Sequence, residues 1–188
     1  MKRRMRWPAA AIALLALLLM LSACGSKEAA AGGAGKTAAA AAVNKGSAAP
    51  MFDLKDVDGN EVSLASLAGH KVYVKYWASW CPICLAGMDE LNTLAGQDND
   101  FKVITIVSPN YKGEQAAADF KEWFKGLQAE NTAKNITVLL DDDGKWAQQF
   151  GIRGYPTSLY IGSDGVLVKS VPGHNTNDAI TAEFKQIS

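Results

Sequence analysis

Cys81-Pro82-Ile83-Cys84 sets two thiols three positions apart. Such a pair can exchange a disulfide with another molecule, hold a soft metal ion, or stand as a static cross-link. Residues 71–77, Lys-Val-Tyr-Val-Lys-Tyr-Trp, are β-rich and almost uninterrupted, which predicts a central strand. From Pro82 to about Ala95, the residues Ile83, Leu85, Met88, Leu91 and Leu94 recur at helical spacing. The pair therefore falls where a strand gives way to a helix. There, unpaired N–H groups and the positive end of the helix dipole favour a thiolate over a thiol. Cys81, just ahead of the helix, is expected to be the nucleophile, with an acidified thiol. Cys84, one turn in, is placed to attack a mixed disulfide on Cys81 and release the partner. Pro82 suits the first helical turn, where its missing N–H costs nothing.

The competing chemistries are less well served. A static disulfide rarely uses two residues of spacing at a helix start. Zinc requires two further ligands, but the third cysteine, Cys24, is far away, and His70 and His174 are isolated; no metal site is expected. A copper(I) carrier stays open, because a cysteine pair can hold a soft metal. No bound cofactor is required, since the pair itself carries two electrons.

The elements that must position the pair can be read onward. Residues 101–107 form a second buried strand, 113–129 an amphipathic helix, 136–140 a strand and 146–150 a short helix. Residues 157–161 and 166–171, joined by Ser163-Asp164-Gly165, read as a β-hairpin, and 177–187 as a closing helix. Alternation in the first half implies a parallel βαβ unit, and the hairpin adds antiparallel strands. The expectation is an α/β domain over residues 50–188, a central mixed sheet with helices on both faces.

The amino terminus reads as an address. Lys2, Arg3, Arg4 and Arg6 precede residues 9–21, an apolar run of 13, and Leu21-Ser22-Ala23-Cys24 follows. The run fits a signal peptide and is short of the roughly 20 residues of a spanning helix. Leu21-Ser22-Ala23-Cys24 resembles the bacterial lipobox, which implies cleavage before Cys24 and a diacylglyceryl group on it. This predicts a signal peptide over 1–23, then a tether over 24–49 starting at lipidated Cys24, rich in Ala and Gly, without a periodic apolar face. The protein is expected outside the cytoplasm, lipid-anchored to the bacterial cell membrane. Of the 19 basic residues four precede Cys24 and none of the 19 acidic ones does, so the body is mildly acidic. That balance argues against nucleic acid as a partner.

Trp77-Ala78-Ser79-Trp80-Cys81-Pro82-Ile83-Cys84 and Tyr155-Pro156-Thr157 resemble the two signatures of the thioredoxin superfamily. The resemblance implies a thioredoxin-like three-layer fold. It also implies a cis bond before Pro156, which would pack against the cysteines. Trp80, Pro82, Tyr155 and Pro156 would then bind substrate, the Tyr155 backbone pairing with a bound peptide. Residues 77–85, Val107-Ser108-Pro109 and Tyr155-Pro156 are similar to those of extracytoplasmic lipoprotein thioredoxins. They are also similar to the amino-terminal thioredoxin-like domain of bacterial methionine sulfoxide reductases. The segment 109–135 looks like the insertion of the cytochrome-maturation thioredoxins. This likeness implies a monomeric thiol–disulfide oxidoreductase. It would pass electrons from a thiol-carrying membrane protein to a protein disulfide, the favoured partner being methionine sulfoxide reductase. Reduction of apocytochrome c is the alternative, and a disulfide-forming oxidase would use the same residues in the opposite direction.

Lys75 departs from the pattern, standing where cytoplasmic thioredoxins carry a buried acid. Its functional reading is catalytic, as a cation or proton acceptor beneath the pair. Its structural reading is a buried stem whose ammonium reaches solvent or an acid such as Glu130 or Asp141.

Overall fold

The structure, a computed structural model, describes residues 43–188. The signal peptide, Cys24 and most of the tether lie outside the described residues. In chain order the strands are β1 (Ser47–Ala48), β2 (Asp53–Asp56), β3 (Glu61–Ser63), β4 (Lys71–Tyr76), β5 (Phe101–Val107), β6 (Val138–Leu140), β7 (Thr157–Ile161) and β8 (Val166–Pro172). The helices are α1 (Pro82–Ala86), α2 (Met88–Ala95), α3 (Ala117–Ala129), α4 (Lys145–Gln149) and α5 (Asn177–Phe184).

β4 is apolar enough to sit mid-sheet, parallel to β5 and antiparallel to β7. All the described strands join one mixed sheet in the order β1-β8-β7-β4-β5-β6-β2-β3. Alternate side chains of a strand face opposite sides. Tyr73 and Trp77 enter one core with α1, α2, α3 and α5, while Val72, Val74 and Tyr76 enter another with α4. The outcome is the three-layer thioredoxin-like α/β fold.

Three differences from expectation bear on the site or the sheet edge. The helix foreseen over 82–95 is two helices, broken at Gly87. A Cβ at Gly87 would stand 2.8 Å from the His174 ring, so the histidine occupies the space a side chain would need. The helix foreseen from 113 begins at Ala117, because Asn110, Lys112 and Gly113 take left-handed backbone angles that a helix excludes. The fold also starts before residue 50: β1 pairs with β8, adding Ser47 and Ala48 to the sheet edge.

A polar clasp fixes that first strand. Asp164, in the β7–β8 turn, accepts hydrogen bonds from the Val43 and Asn44 N–H groups and the Asn44 amide. Asn44 in turn bonds both the N–H and the carbonyl of Ser188. A side chain at Gly162 would collide with Asn44. Burial, the largest single influence, raises the Asp164 carboxyl pKa, but the donors from Asn44, Val166 and Val43 together outweigh it and hold it at about 2, below the ordinary 3.8. A depressed folded-state pKa means that the clasp's stabilisation is complete above pH 3.8 and is lost as pH falls toward about 2. The difference in melting temperature between wild type and Asp164→Asn should therefore be largest above about pH 4 and shrink below it. Thermal unfolding across that range checks this.

Candidate active site

β4 and β7 run antiparallel, with Tyr76 opposite Thr157 at one end. The chain leaving β4 and the chain approaching β7 therefore meet at one end of these central strands. The first carries Cys81 and the second carries Tyr155-Pro156. Cys81 lies in extended backbone immediately before α1, and its carbonyl accepts the N–H groups of Cys84 and Leu85. One turn of helix thus brings the two cysteines together. A disulfide joins them, with Cα atoms 5.2 Å apart. Cys81 is 3% exposed and Cys84 fully buried. The Tyr155–Pro156 bond is cis and Pro156 is buried.

Around this pair the surface is apolar. Trp80 is 51% exposed and Ile83 52%, with Leu85 beside them. The Trp80 ring meets Tyr155 edge-on at 5.9 Å between centroids. The Tyr155 backbone, at the approach to β7, makes no backbone hydrogen bond among the described residues.

Two residues tie the loops of the site and went unnoticed in the sequence. Glu114 is buried and its carboxylate accepts the Ser79 N–H and Ser79 hydroxyl, each at 2.6 Å. It holds the turn that delivers Cys81. Lys112 donates to the carbonyls of Ile152 and Arg153 at 2.8 and 2.9 Å, anchoring the loop ahead of Pro156. Nothing local distinguishes these residues from solvated loop charges; their partners lie 35 to 41 positions away.

Lys75 is only 4% exposed, on the sheet face that carries Tyr73 and Trp77. Burial pushes its pKa down, and the nearby Glu90 carboxylate partly opposes that. The acid beside it is neither Glu130 nor Asp141. Glu130 caps the far end of α3, and Asp141 is occupied with the Trp146 and Ala147 N–H groups and the Ser108 hydroxyl. Asp141, in the Asp141-Asp142-Asp143 run, thereby holds the start of α4.

The Redoxin family profile matches residues 44–185, which is nearly all of the described fold. The chain belongs to the Redoxin family. Its relatives include the thiol-disulfide oxidoreductase ResA of Bacillus subtilis, 30% identical over 74% of this chain and 73% of that one. Among solved structures, this redoxin is similar to the exposed lipoprotein thioredoxin Etrx1 of Streptococcus pneumoniae. The two are 45% identical, with a TM-score of 0.69 over 73% of this chain and all of that one. It is also similar to the N-terminal domain of PilB from Neisseria gonorrhoeae, at 28% identity, TM-score 0.64, over 70% of this chain and 86% of that domain. The redoxin is a thiol–disulfide oxidoreductase of the thioredoxin superfamily, acting on protein disulfides.

Proposed function

We propose that this redoxin works outside the cytoplasm as a reductase, anchored by lipid on Cys24 after removal of residues 1–23. The observation that carries the reading is its likeness to an exposed lipoprotein thioredoxin, taken together with the Leu21-Ser22-Ala23-Cys24 box. The clasp at Asn44 and Asp164 supports it. The turn holding Asp164 follows Ile161, which pairs with Val72 at the end of β4 away from Cys81. The chain from the anchor thus joins the fold at the pole opposite the cysteines, leaving them free to face partners.

Cys81 is the nucleophile. Its thiolate attacks one sulfur of a partner disulfide, a Cys81–partner bond forms, and the second partner sulfur leaves as a thiolate. Cys84 then attacks Cys81, the Cys81–Cys84 bond forms, and the first partner sulfur leaves. The partner gains two electrons and the redoxin loses two. A thiol-carrying membrane protein restores them. Trp80, Ile83 and Tyr155 offer the apolar landing surface, Pro82 opens α1 directly after Cys81, cis-Pro156 precedes β7 on the neighbouring strand, and the Tyr155 backbone is suited to a strand-like peptide. Methionine sulfoxide reductase is the favoured partner, on the similarity of residues 77–85 and 107–109 to domains fused to that enzyme. No resident cofactor enters this cycle.

Cys84→Ala should stall the mixed disulfide and retain the partner through a reducible bond. Recovery of an extracytoplasmic methionine sulfoxide reductase is the expected result. Recovery of newly secreted unfolded chains would instead mark an oxidase. A redox titration gives an independent arm: a potential near −270 mV (about thioredoxin's) fits a reductase, and one near about −120 mV does not.

A further inference from the structure

The break between α1 and α2 opens a place where three ionisable groups converge. The Lys75 Nζ lies 3.7 Å from the position a Cβ at Gly87 would take, and the His174 ring lies 2.8 Å from the same point. His174 Nε2 is 3.1 Å from Glu90 Oε2. The other carboxylate oxygen of Glu90 accepts the Asn177 N–H at the start of α5. Cys84 precedes Gly87 by three residues and is sealed from solvent. Lys75 makes no ion pair or side-chain hydrogen bond among the described residues. The His174 and Glu90 side chains, by contrast, are 29% and 36% exposed.

The cluster has a buried end and a wet end. We propose that Lys75, Glu90 and His174 form a proton outlet for Cys84, with the Glu90–His174 pair as its solvent-facing end. It rests on the oxidoreductase mechanism above and assigns two residues that mechanism leaves idle. A buried thiol that must become a nucleophile has to lose a proton, and no water reaches Cys84 directly. The uncharged Lys75 amine takes the Cys84 proton. The Cys84 sulfur then attacks Cys81, the Cys81–Cys84 bond forms, and the electron pair of the breaking bond leaves on the partner's sulfur. The proton on Lys75 passes to the Glu90 carboxylate, which shares it with the His174 imidazole, and from this exposed pair it reaches solvent. Burial lowers the Lys75 pKa, which makes the uncharged amine accessible. The groups surrounding this path are few. Tyr73, on the same strand, has its hydroxyl bound to Ser158 and its pKa raised by burial. Asn175 bonds Ser158 from the loop that carries His174. Asp89 on α2 and Asp178 on α5 are exposed.

The test uses the full chain in detergent, reduced, and reacted with Ellman's reagent in a stopped-flow instrument. Two thionitrobenzoate anions leave in succession. The first reports attack by Cys81 and the second reports resolution by Cys84. In Glu90→Gln and His174→Gln the second phase should slow about fivefold to tenfold near neutral pH, with its pH profile displaced upward. In Lys75→Met it should slow by about a hundredfold. The first phase should stay within about twofold of wild type. Glu90→Gln keeps an oxygen for the Asn177 N–H, so α5 retains its start, and His174→Gln changes only a loop. Second-phase profiles that superpose on wild type in both variants would overturn the outlet while leaving the cysteine mechanism intact. Loss of the first phase in the wild-type protein would sink the mechanism itself.

Discussion

Cys81→Ser is expected to abolish disulfide exchange, lowering turnover of a small-molecule disulfide by about a thousandfold or more. A serine hydroxyl is scarcely ionised at neutral pH, whereas a thiol beside a helix start is poised to ionise. The proposed mechanism has Cys81 react first, in keeping with its 3% exposure against none for Cys84. The substitution should be mild structurally, because the shape of the side chain is nearly kept and Glu114 still holds the Ser79 turn. Its one structural consequence is loss of the Cys81–Cys84 cross-link, which closes too short a loop to constrain the unfolded chain greatly. Enzymatic reduction of a chromogenic disulfide, alongside a melting curve, separates lost chemistry from lost fold. A variant that melts near the wild type yet retains a tenth of its turnover would refute Cys81 as nucleophile.

What was legible in the sequence was whatever leaves a local trace. The strand ahead of the cysteines, the two buried strands over Phe101–Val107 and Thr157–Ile161, and the hairpin turn each announce themselves by composition or turn chemistry. β1 does not, because two residues carry no periodicity, and only pairing with β8 defines them. The break at Gly87 escaped for a different reason. Ile83, Leu85, Met88, Leu91 and Leu94 keep helical spacing straight across it, and the histidine packed against Gly87 lies 87 positions away. The same distance hid the site's polar framework. Lys75 stood out as a charge in an apolar strand, but its neighbour had to be sought among nearby acids, and Glu90 belongs to a helix whose facing was not determined by pattern alone. Glu114 and Lys112 read as ordinary loop charges until their long-range partners are seen. Short-range order was therefore readable, and contacts made by chain reversal were not.

The largest stability effect should come from Trp77→Ala. Trp77 is the first residue after β4, and its side chain is almost completely buried. Its ring packs against three aromatic rings of α3: Phe120 at 5.8 Å between centroids, Trp123 at 6.2 Å and Phe124 at 6.3 Å. This side chain packs α3 against the strand that leads into the cysteine turn. Truncating a buried aromatic to alanine costs about 3–5 kcal/mol, because lost burial and the cavity left behind add. Against a total of about 5–15 kcal/mol, that is a large share. At roughly 2–4 °C per kcal/mol for a domain of this size, the melting temperature should fall by about 6–20 °C. Trp77→Phe distinguishes packing from polar bonding. The indole N–H of Trp77 has no partner among the described residues, so phenylalanine loses ring area but no hydrogen bond. Its cost should stay below that of alanine by at least about half. Because these rings join α3 to the strand, Trp77→Ala should also expose residues 112–130 to proteolysis before the remaining fold opens. Equal melting temperatures for Trp77→Ala and the wild type would mean that α3 is secured by something other than these rings.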